Sequence, residues 1–252
     1  MDKLLYISST GARENFNALA VRANNIANAN TDGFKKAMSQ ARAMPVFGEG
    51  LPTRVFSMTE KPAHDLTPGP LLKTGEDLDV AINGQGFFTV LDKQGKEKLS
   101  RYGSFMLSRE NKLVDKHGRP AVGLSGTIFL PKGSKNPRIE KDGSVTFASS
   151  DASVSDKRLV AGKLFLVNPD YRNVRKAEDG LFFIKDKELY RKNIGSLKPV
   201  SLRLGSIERS NVNTAEELVQ LVTLQRQFDM QLKMIKTAEN IEQSGSRLMQ
   251  NS

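Results

Sequence analysis

Residues 214–250 read TAEELVQLVTLQRQFDMQLKMIKTAENIEQSGSRLMQ, thirty-seven positions without a proline. Asn213 or Thr214 suits a helix N-cap, and Glu216 and Glu217 suit the positive end of the helix dipole. The stretch predicts one helix, about 50 Å long at 1.5 Å per residue. Leu218, Leu221, Val222, Phe228, Leu232, Ile235, Ile241 and Leu248 draw an apolar stripe along it. Leu221 to Leu232, Leu224 to Ile235 and Met230 to Ile241 are eleven-residue steps. That period suits packing in a helical array as well as a simple pair.

The other end of the chain has the same texture. Leu5, Ser9, Ala12, Phe16, Leu19, Ala23, Ile26 and Asn30 recur at alternating steps of four and three, predicting a helix over about 3–30. Gly11 weakens it. Asn28-Ala29-Asn30-Thr31-Asp32-Gly33 ends it with residues that tolerate left-handed and turn conformations. Two stripes at opposite chain ends can bury each other, or can bury against neighbouring copies. Ordering a long helix costs backbone entropy at every residue, and seven or eight apolar side chains return only part of it. The expectation is that the ends are mobile in the monomer and order fully on assembly.

Between the ends the pattern changes. Pro45, Pro52, Pro62, Pro68 and Pro70 forbid a long helix over 43–78, which reads as an extended connector with edge strands near 54–58 and 71–74. From about 79 to 200 short strand signals alternate with Gly/Asp turns. Asp79-Val80-Ala81-Ile82, Asn83-Gly84-Gln85-Gly86 and Phe87-Phe88-Thr89-Val90-Leu91 read as strand, turn, strand. Further candidates lie at 104–107, 112–114, 127–130, 144–147, 163–167, 181–184 and 201–204. The fold class is α+β, with long amphipathic helices at the N- and C-termini flanking an irregular antiparallel β domain. The divisions are 1–42 for the N-terminal helical segment, 43–78 for the connector, 79–200 for the β-rich middle, 201–212 for a return segment and 213–252 for the C-terminal helix.

Composition narrows the function. The 252 residues are 38% hydrophobic, and the 20 glycines bring the chain near a globular average. There is no Cys, which excludes disulfides, thiol nucleophiles and Cys-based metal sites. No stretch approaches the roughly 20 apolar residues of a transmembrane helix, so no membrane insertion is expected. The first residues carry an apolar run shorter than the roughly 7–15 of a signal h-region, so no cleaved secretory signal is expected. Net charge is +10, scattered at turns such as Asp92-Lys93-Gln94-Gly95-Lys96 and not gathered in a block. That is the texture of a solvated surface, and nucleic acid is not expected as a partner.

Candidate chemistry is sparse. Gly84-Gln85-Gly86 lacks the third glycine and following helix of a dinucleotide site, and reads as a β-turn. His64 and His117 stand beside turns, far apart in sequence. Asp77 with Asp79, and Asp151 with Asp156, match no calcium loop or metalloprotease helix. Ser125-Gly126-Thr127 lacks a nucleophile elbow. No enzyme activity, metal or cofactor is expected.

The segment Ala23-Asn24-Asn25-Ile26-Ala27-Asn28-Ala29-Asn30-Thr31-Asp32-Gly33-Phe34-Lys35 closely resembles the N-terminal signature of flagellar rod, hook and hook-associated axial proteins. Ser210-Asn211-Val212-Asn213, Glu217-Leu218-Val219 and Gln225-Arg226-Gln227-Phe228-Asp229 resemble the C-terminal signature, with aspartate at 229 where glutamate is common. Leu78-Asp79-Val80-Ala81-Ile82-Asn83-Gly84-Gln85-Gly86-Phe87-Phe88 is similar to a motif of rod and hook proteins, and Arg101-Tyr102-Gly103-Ser104-Phe105 is a looser match. The connector, Leu51-Pro52-Thr53-Arg54-Val55-Phe56 and then Asp65-Leu66-Thr67-Pro68-Gly69-Pro70-Leu71, resembles proximal rod proteins, with distal rod proteins the alternative.

The resemblance implies a structural subunit of the bacterial flagellar basal-body rod, in the periplasmic space. It implies export through the flagellar type III apparatus, and partners that are proximal and distal rod proteins and copies of the chain. It places assembly contacts on the terminal helices. The candidates are Leu5, Ala12, Phe16, Leu19, Ala23, Asn25, Ile26, Asn28 and Asn30, with Leu218, Leu221, Arg226, Phe228, Leu232, Ile235 and Ile241. Arg226 and Glu217 are candidates for setting register between subunits.

Overall fold

The computed structural model describes residues 2–45, 55–149, 158–177, 179–184 and 200–250. The connector residues 46–54 and the pair Asp151 and Asp156 lie outside the described residues, as do the side chains of Leu5 and Leu248. The architecture is α+β, with a helix at each end and antiparallel strands between. The chain divides into two compact units. One comprises residues 1–29, 36–65 and 212–252, and the other 30–35 and 66–211.

The helical unit contains α1 (Asp2–Ala27), β1 (Ala37–Pro45), β2 (Val55–His64) and α2 (Thr214–Gln250). α1 stops three residues short of the expected end. The edge strands expected near 54–58 and 71–74 fall on β2 and on Leu71–Lys73, and β2 pairs with β1 in a long antiparallel ribbon that joins Ala37 to His64 and Pro45 to Val55. Prolines are tolerated because Pro45 sits at the strand end and Pro62 falls at the register shift, outside the paired residues. A register shift between Met38 and Gln40 marks a bulge.

In the β unit, β5 (Phe87–Leu91) belongs to a five-stranded sheet with β6 (Glu97–Ser100), β14 (Leu166–Val167), β15 (Val174–Lys176) and β16 (Phe182–Ile184), in the order β14-β5-β6-β16-β15. Side chains alternate across a strand, so the adjacent Phe87 and Phe88 serve two cores. Phe88 packs with Val80, Ile82, Phe105, Leu113, Val145 and Phe147, and meets Phe105 edge to face at 5.5 Å. Phe87 packs with Leu99, Val167, Val174 and Phe182. A three-stranded sheet of β11 (Lys135–Ile139), β12 (Ser144–Ala148) and β13 (Arg158–Lys163) supplies Ile139, Val145 and Phe147 to the first core. β3 (Leu71–Lys73) pairs with β18 (Ser206–Glu208), and β4 (Val80–Asn83) with β17 (Ser201–Leu204), so the return segment closes antiparallel on early strands.

Lys176 is the misfit of this unit. Its Nζ lies 4.0 Å from the Phe34 ring centroid, and burial pulls its pKa from 10.5 to about 8. Between those values the unfolded chain binds more protons, so stability rises with pH across the window and the burial penalty is fully present below it. The aromatic contact favours the charged form and offsets part of that penalty. Lys176→Met is expected to stabilise the unit by about 1 kcal/mol at pH 7, allowing for the solvent contact of the ammonium. It also removes the rise between pH 8 and 10.5; urea titrations across this range measure both effects.

Candidate assembly interface

α2 pairs with α1 along one seam. Glu217, Leu221, Leu224, Phe228, Gln231, Ile235 and Ala238 are buried or half-buried, and every other residue from Leu218 to Ile241 is exposed. The steps alternate four and three, the heptad period of a two-helix contact. On α1 the inward residues include Ser8, Ala12, Ala18, Leu19, Arg22, Asn25 and Ile26. Small residues let the helices approach: a Cβ on Gly11 would stand 2.6 Å from Gln231 Nε2. An apolar scan misses this seam because it runs through Glu217, Gln231 and Ala238 on one helix and Ser8 and Arg22 on the other.

The polar end of the seam is built around Glu217, whose side chain is fully buried. Arg22 Nη1 donates to Oε1 at 3.0 Å and to Oε2 at 3.3 Å, and Asn25 Nδ2 donates to Oε2 at 3.1 Å. Lys36 Nζ stands 3.8 Å from Oε1. Asn213 caps α2, its Oδ1 accepting from Ala215 N at 3.1 Å and Glu216 N at 3.4 Å. The first turn of α2 is therefore tied down, and a buried acid there also meets the positive helix end. Asn25 reaches β1 as well. Its Nδ2 donates to Ala37 O, and its Oδ1 accepts from Ala37 N, each at 2.9 Å.

The expected interface residues divide accordingly. Ala12, Leu19, Asn25, Ile26, Leu221, Phe228 and Ile235 face their own seam. Ala12 and Asn25 are buried within the helical unit, Asn25 against Ala37 of β1 and Glu217 of α2. Glu217 is paired with Arg22 within the chain, while Arg226 is exposed. Asn28 donates back to Asn24 O at 2.9 Å as part of the helix end, and Asn30 Oδ1 accepts from Arg209 in the β unit.

The remaining candidates are exposed: Phe16 at 63%, Leu218 at 51%, Ile241 at 48%, with Ala23 and Leu232. Val219, Val222, Met230 and Met234 join them on α2, and Tyr6 on α1. Scattered exposed apolar residues are normal, but so many on one paired helix form an apolar surface away from its seam.

The other sequence features have structural roles. Gly84 and Gly86 turn the chain between β4 and β5, and their carbonyls accept from Arg101 at 2.9 and 2.7 Å. A phosphate cradle would present N–H groups there. The His117 ring packs edge-on against Tyr102 at 5.1 Å. Among the described residues no group of three His, Asp or Glu is placed to hold a metal.

Residues 5–35 match the family described as flagella basal body rod protein, 81–147 the D1 domain of flagellar hook protein FlgE/F/G, and 203–248 the C-terminal region of flagellar basal body rod FlgEFG proteins. The chain is 31% identical to flagellar basal-body rod protein FlgF of Salmonella typhimurium, with all of both chains covered. The chain belongs to the flagellar basal-body rod protein family. It is 33% identical to FlgF of Caulobacter vibrioides over 97% of this chain and 96% of the relative. It is 31% identical to flagellar basal-body rod protein FlgG of Buchnera aphidicola subsp. Baizongia pistaciae, over 97% and 98%. The three matched segments fall on α1, on the first core of the β unit, and on β17 through α2. These relatives are rod proteins and not enzymes, in accord with the non-enzymatic reading of the motifs.

Proposed function

We propose that the chain is a structural subunit of the proximal part of the flagellar basal-body rod and assembles through the outer faces of α1 and α2. The observation that carries this is the second apolar face of α2, which remains exposed after the heptad seam has been used. A helix in a finished monomer needs one buried stripe. The exposed apolar residues spread over its outer side, Leu218, Val219, Val222, Met230, Met234 and Ile241, are explained by contacts with neighbouring copies and other rod subunits. Repeated contacts that do not close on themselves build a helical tube. The rod lies in the periplasmic space, and the subunit passes through the flagellar export apparatus. The proximal assignment is favoured by length. Alignment with FlgF of Salmonella runs over 254 residues, whereas alignment with FlgG of Buchnera takes 271 and therefore more gaps.

Val222 and Met230 are exposed, at 47% and 56%, and make no part of the seam. A Val222→Asp, Met230→Asp chain is expected to keep its far-UV circular dichroism and melting temperature. It is expected to fail to enter isolated rods and to leave cells non-motile when it replaces the parent protein. Normal rods carrying the double variant would sink this reading.

A further inference from the structure

The β unit buries two cations and one anion at its most polar point. The side chains of Lys35 and Glu208 are fully buried, and that of Arg101 is 1% exposed. Glu208 Oε1 accepts from Lys35 Nζ at 2.5 Å and from Gly69 N at 2.9 Å; Oε2 accepts from Arg101 Nε at 2.8 Å. Arg101 Nη2 stands 2.5 Å from Oε2. Lys35 Nζ also donates to Thr67 O at 2.6 Å. The Glu208 carbonyl accepts from Gly33 N at 2.7 Å. The next residues repeat the pattern: Arg209 N donates to Pro70 O and its guanidinium to Asp32, while Asn211 N donates to Phe34 O and its side chain to Thr67 O.

The segments tied here have one thing in common. The chain passes between the two units after residues 29, 35, 65 and 211. Residues 30–35, 66–70 and 206–211 are therefore the parts of the β unit that adjoin all four passages. The buried members of both apolar cores come from residues 80–182 and include none of these. Leu66 packs against the edge of the second core, while the contacts that join the three segments to one another are polar.

We propose that Glu208 is a latch that closes the three passage segments onto the β unit as one cooperative group, independently of its apolar cores. A buried cation without a counter-charge is strongly unfavourable. Lys35 and Arg101 meet their shared counter-charge only when a residue 173 and 107 positions downstream arrives. Residues 30–35 and 66–70 are therefore docked by the return strand β18, and they open together when it leaves. The charge count makes the latch asymmetric. Removing Lys35 leaves a neutral Arg101–Glu208 pair, whereas neutralising Glu208 leaves two cations facing each other.

Hydrogen exchange on the full-length chain tests this. In the parent protein, the amides of Gly33, Gly69 and Arg209 are expected to exchange as one group, by an opening that leaves Thr89 and Val145 protected. Exchange of the three in unrelated groups, or only together with Val145, overturns the latch. Glu208→Gln is expected to speed exchange of that group about 100-fold or more, with Thr89 and Val145 unchanged. Lys35→Met is expected to speed it less than about tenfold. Equal effects of the two variants, or loss of core protection in Lys35→Met, would refute it, and the parent measurement stands even if Glu208→Gln does not fold.

Discussion

A Gly103→Ala chain is expected not to fold its β unit. A Cβ at this position would overlap the carbonyl oxygen of Val80 and stand 3.0 Å from Phe88 Cε2. Val80 is completely buried, its N–H donates to Gly103 O at 2.8 Å, and Phe88 is a pillar of the first core. Overpacking a core costs ~1–3 kcal/mol when side chains can adjust. Here the obstacle is backbone already fixed by its own hydrogen bond, so relief means parting the segment Arg101–Phe105 from β4. That loses the core contacts of Val80 and approaches the whole stability of a domain, ~5–15 kcal/mol. Gly95 provides the contrast. It has φ +75 and nothing within 4 Å of a Cβ, so Gly95→Ala costs only the left-handed strain of about 1–2 kcal/mol. Thermal melts of both variants decide the matter, and a Gly103→Ala melting temperature within a few degrees of the parent refutes the argument.

This contrast also shows what a sequence can convey. Gly84, Gly95 and Gly143 stand in dipeptide contexts that announce turns, and each has a positive φ in the structure. Gly103 has an ordinary φ and is required by what lies opposite it, which no local pattern encodes. The same division runs through the whole fold. Phe87-Phe88-Thr89-Val90-Leu91 was legible as a strand because it is apolar, short and bounded by turns. The strand Glu97–Ser100 was not, because Glu97 and Lys98 mask a segment whose burial begins only at Leu99. Of the β1–β2 ribbon only an edge strand near 54–58 was legible, because its prolines speak against regular strands and β1 carries no alternating apolar pattern.

Heptad spacing identifies both helices, but two overlapping stripes occur on each, and apolarity picks Phe16 and Leu218 over Arg22 and Glu217. Only the fold shows that the seam runs through Glu217, Gln231, Ala238, Ser8 and Arg22 as well as Leu221, Phe228 and Ile235, and leaves Phe16 and Leu218 outside. The Lys35–Arg101–Glu208 cluster was beyond reach for a different reason. Its members are ordinary charged residues, and Glu208 stands 173 and 107 positions from its two partners.

The largest effect in the helical unit is expected from Glu217→Ala. The loss leaves Arg22, the Asn25 amide and Lys36 around an empty place where a buried carboxylate stood. Breaking a buried pair by removing one partner costs ~3–5 kcal/mol. The rest of the seam offers little compensation, because five of its seven α2 positions are only half-buried and Gln231 occupies one of those five. Helices held by so thin a contact depend on their best-buried anchor, so helicity is expected to fall and both termini to become protease-sensitive. The β unit is expected to melt as before, since Glu217 belongs wholly to the other unit. Ile235→Asp should act in the same direction, because Ile235 lies in the seam and not on the outer face. It therefore tests the hairpin and not assembly. The combination Arg22→Met with Glu217→Leu separates charge from shape: an apolar pair of similar volume commonly replaces a buried ion pair without loss. Recovery of helicity in that double variant would show that Glu217→Ala fails because it strands Arg22. Full helicity in Glu217→Ala itself would show that the terminal helices hold together without the buried ion pair.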